Sequence, residues 1–285
     1  NRVTFGPTLI LPATPNGAEV SETASFDAWT WRLVAAYELN DRVNTWLSYA
    51  RGRRPDVIAL DTNSPTFFSI APAEIVESLE AGAFVSFDRG NLSGSIFRAE
   101  YENFQSAVFD PTSNTFAPTN AGNATQYGLE LQGDMRIGEE VNVFFTYAYN
   151  LATFDSTSGG QPQALAGNRF RYSPEHALSF GTRIRLADGP WGEVTFLPSY
   201  TWQSHIYFDN DNQEFDGVRQ DSYGLLRARL RYETADGGRF AEVFGNNLTD
   251  ERYLIDAGNT GGAFGLPTFI AAAPRTYGIR LGVNF

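Results

Sequence analysis

Apolar and polar residues alternate one by one along most of this chain, as in strands that bury one face and wet the other. The C-terminal segment shows it most cleanly. Tyr277, Ile279, Leu281, Val283 and Phe285 take every second position, with Gly278, Arg280, Gly282 and Asn284 between them. The same period of two recurs in Trp29–Leu39, Val43–Tyr49, Leu79–Val85, Phe97–Tyr101 and Tyr127–Met135. It continues in Val141–Leu151, Leu178–Leu186, Val194–Trp202, Leu226–Tyr232 and Phe240–Asn246. Val3–Leu11 reads as the remnant of one more strand, although Pro7 cannot donate to a ladder. The expectation is an all-β chain of about eleven or twelve strands.

The connections alternate in length. Short turns fall at Asn40-Asp41, Asp88–Asn91, Gly138-Glu139, Ala187–Gly189 and Asp236–Gly238. Long stretches rich in Gly, Pro, Asn, Ser and Asp fill Gly52–Ala73, Gln105–Gly122, Asp155–Asn168, Phe208–Asp221 and Ile255–Pro274. Tight turns at one end and elaborated loops at the other are the layout of a transmembrane antiparallel β-barrel. Its apolar faces meet lipid and its polar faces line a lumen. Arg183 and Arg185 lie opposite Phe180, Ile184 and Leu186, and Arg227, Arg229 and Arg231 lie opposite Leu226, Ala228, Leu230 and Tyr232. An arginine facing lipid at mid-bilayer costs roughly 2–4 kcal/mol, so these five and Arg280 are expected in the lumen. A soluble β-sandwich also puts charge on one face. The loop asymmetry, the aromatic strand ends (Trp29, Trp31, Tyr49, Tyr147, Tyr149, Trp202) and the terminal aromatic favour the barrel. Tyr277, Ile279, Leu281, Val283 and Phe285 then form its closing strand and assembly signal, running toward the periplasm.

Composition removes other classes. The 285 residues carry a net charge of −12, with no lysine and no cysteine. Nucleic acid is a poor partner for such a chain, and neither a disulfide framework nor a thiolate metal site can form. His176 and His205 are too few for a histidine-rich metal centre. His205 has no serine and carboxylate at a triad's spacing, so no catalytic residue is assigned and no enzyme is expected. No cofactor or metal site is expected either. The acidic run Phe208–Gly217 lacks the glycine and closing glutamate of an EF-hand loop and reads as a solvated loop. Phe67, Phe68, Phe116, Tyr207, Phe208 and Phe264 either stack on a ligand or pack the loops together. Asn1-Arg2-Val3 has no secretory signal character, so a fragment or processed product is expected.

Five motifs in order resemble the C-terminal half of TonB-dependent outer-membrane receptors. Ser48–Pro55 looks like the family's strand-to-loop motif, and Ala73–Gly82 is similar to its PE-x-V-x-x-x-E-x-G strand start. Asn120-Ala121-Gly122 leading to Tyr127–Leu131 resembles the NAG…GLE segment. Asn246–Tyr253 resembles NLTD-x-RY, and Pro274–Gly278 resembles the opening of the last strand. The resemblance implies that residues 1–285 are the C-terminal part of a barrel of 22 strands in the bacterial outer membrane, with the plug domain absent. It implies active uptake of a scarce, bulky nutrient, by default a ferric siderophore. The implied partners are the lipid bilayer, the TonB–ExbB–ExbD energising complex, the receptor's N-terminal half with its plug, and a small ligand whose identity no motif gives. Glu80 and Glu130 match the two lumenal glutamates that hold the family's plug through arginines. Against this stand a carbohydrate-specific member of the family and a passive outer-membrane pore or secretion-system barrel.

Overall fold

A computed structural model of the chain describes residues 2–5, 20–23, 29–60, 68–110, 115–155, 165–212, 219–257 and 268–284. Eleven strands make one sheet. They are β1 (Trp31–Asn40), β2 (Val43–Arg54), β3 (Glu74–Phe87), β4 (Gly90–Glu102), β5 (Ala124–Ile137) and β6 (Val141–Phe154). The series continues with β7 (His176–Gly189), β8 (Gly192–Gln203), β9 (Tyr223–Glu233), β10 (Arg239–Asn246) and β11 (Thr276–Val283). Every strand lies antiparallel beside its neighbours in sequence, so the sheet is an up-and-down meander with β1 and β11 at its edges.

The alternating segments from Trp29 onward fall in these strands, except that Trp29 precedes β1 and Asn284 follows β11, and most strands run further than the alternation. β4 begins at Gly90 because Ser93, Gly94 and Ser95 blur the apolar pattern yet still donate and accept in the ladder. β3 starts at Glu74, where Glu74 and Glu77 hide the same period. One turn sits elsewhere than expected. β7 continues through a bulge between Arg185 and Ala187 to Gly189, and the chain reverses at Pro190-Trp191. Gly192, at φ 130°, completes that reversal, since a Cβ there would collide with the Glu233 carbonyl.

The long connections contain short hairpins that the sequence reading left irregular. Val57–Leu60 pairs with Phe68–Ala71, and Gln105–Asp110 with Thr115–Asn120. Ile206–Tyr207 pairs with Arg219–Gln220, and Leu254–Ala257 with Phe269–Ala271. Arg2–Phe5 pairs with Val20–Thr23 apart from the large sheet, and the rest of the Val3–Leu11 segment lies outside the described residues.

The packed core sits at the loop end. Ala121, Ala124, Phe154 and Leu165 cluster there with Tyr101, Phe104 and Phe170. Ile206, Phe208 and Ala257 form a second cluster with Leu254. The faces of the sheet carry no such cluster among the described residues. Instead the large apolar side chains of one face, from Leu33 and Leu47 to Ile279 and Leu281, stand exposed. No described helix is long and apolar enough to cross a membrane.

Candidate functional site

Directly paired residues of antiparallel strands share a face, so the register sorts every side chain into two sets. One set is almost wholly apolar. On β5 it reads Tyr127, Leu129, Leu131, Gly133, Met135 and Ile137. On β7 and β8 it includes Leu178, Phe180, Ile184, Phe196, Tyr200 and Trp202. Ten residue steps along β5 at about 3.3 Å each, tilted by about 40°, make a band about 25 Å tall, the height of a bilayer's hydrocarbon core as barrels span it. Tyr49 and Tyr127 share one paired row at its loop-side rim, and Tyr149 and His176 share the next row of the same face. The Tyr147 hydroxyl lies 2.9 Å from His176 Nδ1. At the other rim Trp191 stacks on Tyr232, whose hydroxyl donates to the Trp191 carbonyl. Charge on this face stands near its two ends: Arg98 pairs in register with Leu79 and Tyr127 and bridges to Glu100, Arg51 bridges to Glu77, and Arg239 faces Val283 at the turn end. Tyr277, Ile279, Leu281 and Val283 belong to the apolar face, and Phe285 lies outside the described residues.

The opposite face is polar and encloses a cavity of about 780 Å³. Its lining reaches from Trp46 on β2 to Leu225 and Arg227 on β9, so the sheet curves around it. The register puts Glu80, Glu130, Arg183, Arg185, Arg227, Arg229, Arg231 and Arg280 all on this face. Glu80 accepts a hydrogen bond from Trp46 Nε1 at 3.4 Å. Gly82 makes that contact possible: the Trp46 ring lies flat across β3, in the space a Cβ at Gly82 would take. The strand-start motif therefore couples its glutamate to its glycine through an indole on the next strand. The same arrangement recurs with Phe97 over Gly128, Phe144 over Gly181, Phe244 over Gly278 and Phe240 over Gly282.

Four of the six arginines are neutralised within the wall. Arg183 pairs with Glu193, Arg185 with Glu140 and Asp188, and Arg231 with Glu233. Arg231 also lies 3.9 Å over the Phe240 ring. Arg280 donates to Glu242 at 3.0 Å, and that carboxylate is only 3% exposed. Arg227 and Arg229 have no carboxylate partner among the described residues; both are exposed on this face, and Arg227 lines the cavity. Glu80 and Glu130 likewise meet no cation among the described residues.

Several positions that hold the loops together carry no local signal in the sequence. Gln105 is 5% exposed. Its Nε2 donates to the Pro55 and Pro72 carbonyls and its backbone N–H to Glu74 Oε2. That single side chain ties the β2–β3 loop to the end of β4, with its two acceptors 33 and 50 residues away. Asn247 adopts φ 49° and donates to the Glu251 and Ala273 carbonyls while accepting from the Glu251 N–H. Asp250 accepts from the Arg275 N–H. The two C-terminal motifs thus clasp each other across the last loop. Gly122, at φ 102°, closes a turn in which Asn120 Oδ1 accepts from its N–H and Phe104 donates to its carbonyl.

The acidic run is not a freely solvated loop where it is described. Phe208 is 0% exposed, and Asn210 and Asn212 bond to Asn168, Arg169 and Arg171. Phe208 and Tyr207 are buried and pack the loops. Residues 213–218, Phe67 and Phe264 lie outside the described residues, as do the side chains of Phe68 and Phe116. Burial pushes the Asp209 carboxyl up, partly countered by the Asp211 and Asn212 N–H groups and by Arg171. His205 Nε2 lies 3.1 Å from Arg169 Nη1, so its ring is engaged in the loop packing. No group of three or more His, Cys, Asp or Glu among the described residues is arranged to hold a metal.

A ferric yersiniabactin uptake receptor, FyuA from Yersinia pestis, superposes with a TM-score of 0.78 at 20% identity, covering 94% of this chain and 39% of that one. The unliganded ferric citrate transporter FecA superposes with a TM-score of 0.71 at 19% identity, again over 94% of this chain and 39% of its own. A ferrioxamine receptor of Yersinia enterocolitica is 25% identical over 170 residues, which is 53% of this chain and 21% of that protein. The chain therefore spans well under half the length of these relatives. Residues 12–249 match the family described as TonB dependent receptor-like, beta-barrel. A curved meander with an apolar outer belt, a polar inner wall and a family match over most of its length makes this chain a member of the TonB-dependent receptor family, part of an outer-membrane β-barrel.

Proposed function

We propose that this chain forms the C-terminal part of a receptor barrel that takes up a ferric siderophore across the outer membrane, driven by the TonB–ExbB–ExbD complex through the receptor's N-terminal part. The observation that carries this reading is the pair Glu80 and Glu130, which face the 780 Å³ cavity with no cation beside them. Carboxylates left bare in an enclosed wall ask for guanidinium partners from whatever fills the lumen, and bidentate pairs hold firmly yet release without covalent change. Glu80 and Glu130 are the plug contacts in this reading. The open edges of β1 and β11 support a larger barrel, because each backbone group unpaired in lipid costs several kcal/mol. The relatives' iron-bearing ligands favour a ferric siderophore over a carbohydrate.

The test expresses the full-length receptor in a bacterium stripped of its own ferric-siderophore receptors. Uptake of radio-iron bound to a panel of siderophores should appear and should vanish when tonB is deleted. Uptake that survives the deletion would point to a passive pore and sink the proposal. In the same receptor, E80Q/E130Q should admit large antibiotics that the parent excludes, and unchanged exclusion would remove the plug role from these two residues.

A further inference from the structure

We propose that Arg227 and Arg229 form a second anchor in the inner wall, opposite in sign to Glu80 and Glu130, for a carboxylate-bearing segment of the receptor's own plug. The proposal rests on the plug-bearing receptor reading.

The wall itself leaves this pair unserved. Arg227 faces Ser199 on β8, and Arg229 faces Leu197 on β8 and Phe244 on β10. None of these is acidic, whereas Arg231, one step further along β9, has Glu233 and the Phe240 ring. Arg227 and Arg229 occupy alternate positions of one strand, about 6.6 Å apart along it, so both guanidinium groups can close on one carboxylate or on two adjacent ones. Both are exposed on the inner face, and Arg227 lines the same cavity as Glu80 and Glu130.

Their height fixes the occupant. In a tilted barrel the level shifts by about 3 Å, close to one residue, for each strand crossed. The stagger is visible here: Gly90, just after one turn, pairs with Met135 two residues before the end of β5, and Val141 pairs with Ile184 five before the end of β7. Following the paired rows, Glu80 leads by way of Phe97 to Gly128, and Glu130 leads by way of Ala148, Ala177 and Gln203 to Tyr223. Correcting two residues for two strands returns Glu130 from Gly128, and four for four strands returns Arg227 from Tyr223. Glu80, Glu130 and Arg227 thus stand at about one height around the bore, with Arg229 a step below. A body filling the lumen at that height desolvates both signs of charge and must neutralise both, because an unpaired buried ion is costly. A ligand held there would have to displace the body that pairs with the glutamates, so the fixed occupant is the plug.

The experiment uses the full-length receptor in planar bilayers under mild urea. Channel openings in R227Q/R229Q should rise roughly tenfold or more over the parent, as expected for truncating one side of a buried charge pair, while R227K/R229K stays near the parent. Ferric-siderophore affinity should not change. Openings unchanged in the Gln variant, or affinity lost with openings unchanged, would overturn the proposal. A readout independent of the Gln variant exploits the lack of lysine in this chain: carbodiimide coupling of R229K should join position 229 to an aspartate or glutamate of the N-terminal part. Coupling only to wall carboxylates, or none, would overturn it too. Radio-iron uptake is scored separately, so failure of transport and failure of the anchor are distinguishable.

Discussion

Asn247 gives the sharpest test of what holds the last two strands' loop. It is 5% exposed and sits at φ 49°, a backbone region that asparagine tolerates better than alanine. Alanine would forfeit two hydrogen bonds of 2.8 Å to the Glu251 backbone and a longer one of 3.4 Å to the Ala273 carbonyl. At about 1 kcal/mol net for each good bond these sum to about 2 kcal/mol. Left-handed strain in alanine adds about 1 kcal/mol. N247A should therefore destabilise the folded barrel by about 3 kcal/mol, against about 2 kcal/mol for N247G, which loses the bonds but not the backbone freedom. N247D keeps the acceptor for the Glu251 N–H but turns a carboxylate oxygen on the Glu251 and Ala273 carbonyls in a buried site, so it should cost at least as much as N247G. Urea midpoints of the full-length receptor in lipid vesicles, followed by its heat-modifiable gel band, would measure the series. If N247A and N247G matched the parent, the clasp between the two motifs would not be holding the loop, and the reasoning would fail.

Three further outcomes follow from the two faces and the loop layer. L131R turns a guanidinium into the apolar band and should cost roughly 2–4 kcal/mol of folding in vesicles, whereas Q132R, one residue on, should cost almost nothing; equal costs would contradict the facing. G82V should drive the Trp46 ring off the wall and shift its fluorescence to a more solvated emission, with E80Q giving a smaller shift. Asp209 holds its proton more tightly folded than unfolded, so the folded loop loses stability as pH rises from the ordinary carboxylate range through the raised one. D209N keeps the acceptor and discards the charge, so amide exchange at Asp211 and Asn212 should slow at neutral pH and lose its pH dependence beyond the intrinsic rate. Faster exchange in D209N would reverse the sign.

The sheet was legible because lipid and water impose opposite demands on alternate residues, and that period survives in some part of every strand from β1 to β11. What stayed hidden depends on distance in sequence. Gln105 finds its acceptors at Pro55 and Pro72, and nothing local to Gln105 announces them. The strands of the hairpins beyond the sheet are only two to six residues long, as in Val57–Leu60 and Phe68–Ala71, too short for a period of two to stand out from a loop. The turn after β7 was misplaced because Ala187-Asp188-Gly189 has turn chemistry, yet the bulge at Arg185–Ala187 lets the ladder absorb it until Pro190 ends the pairing. As a loop aromatic Phe208 could equally stack on a ligand or pack the loops, and only the fold shows its ring filling a cluster. Of the candidate site, the facing of the charges could be read from alternation, but which arginines lack partners could not, since Glu140 reaches one from a turn and Glu193 and Glu242 reach others from neighbouring strands.

The large rings of the inner wall recline on glycines across the strand gap, so they cover backbone without projecting toward the axis. A conduit lined this way keeps its full width while offering few upright obstacles to anything that slides past. Enlarging any one of those glycines would stand a ring on end and narrow the passage by the breadth of an aromatic side chain, a constriction felt by cargo long before it is felt by stability.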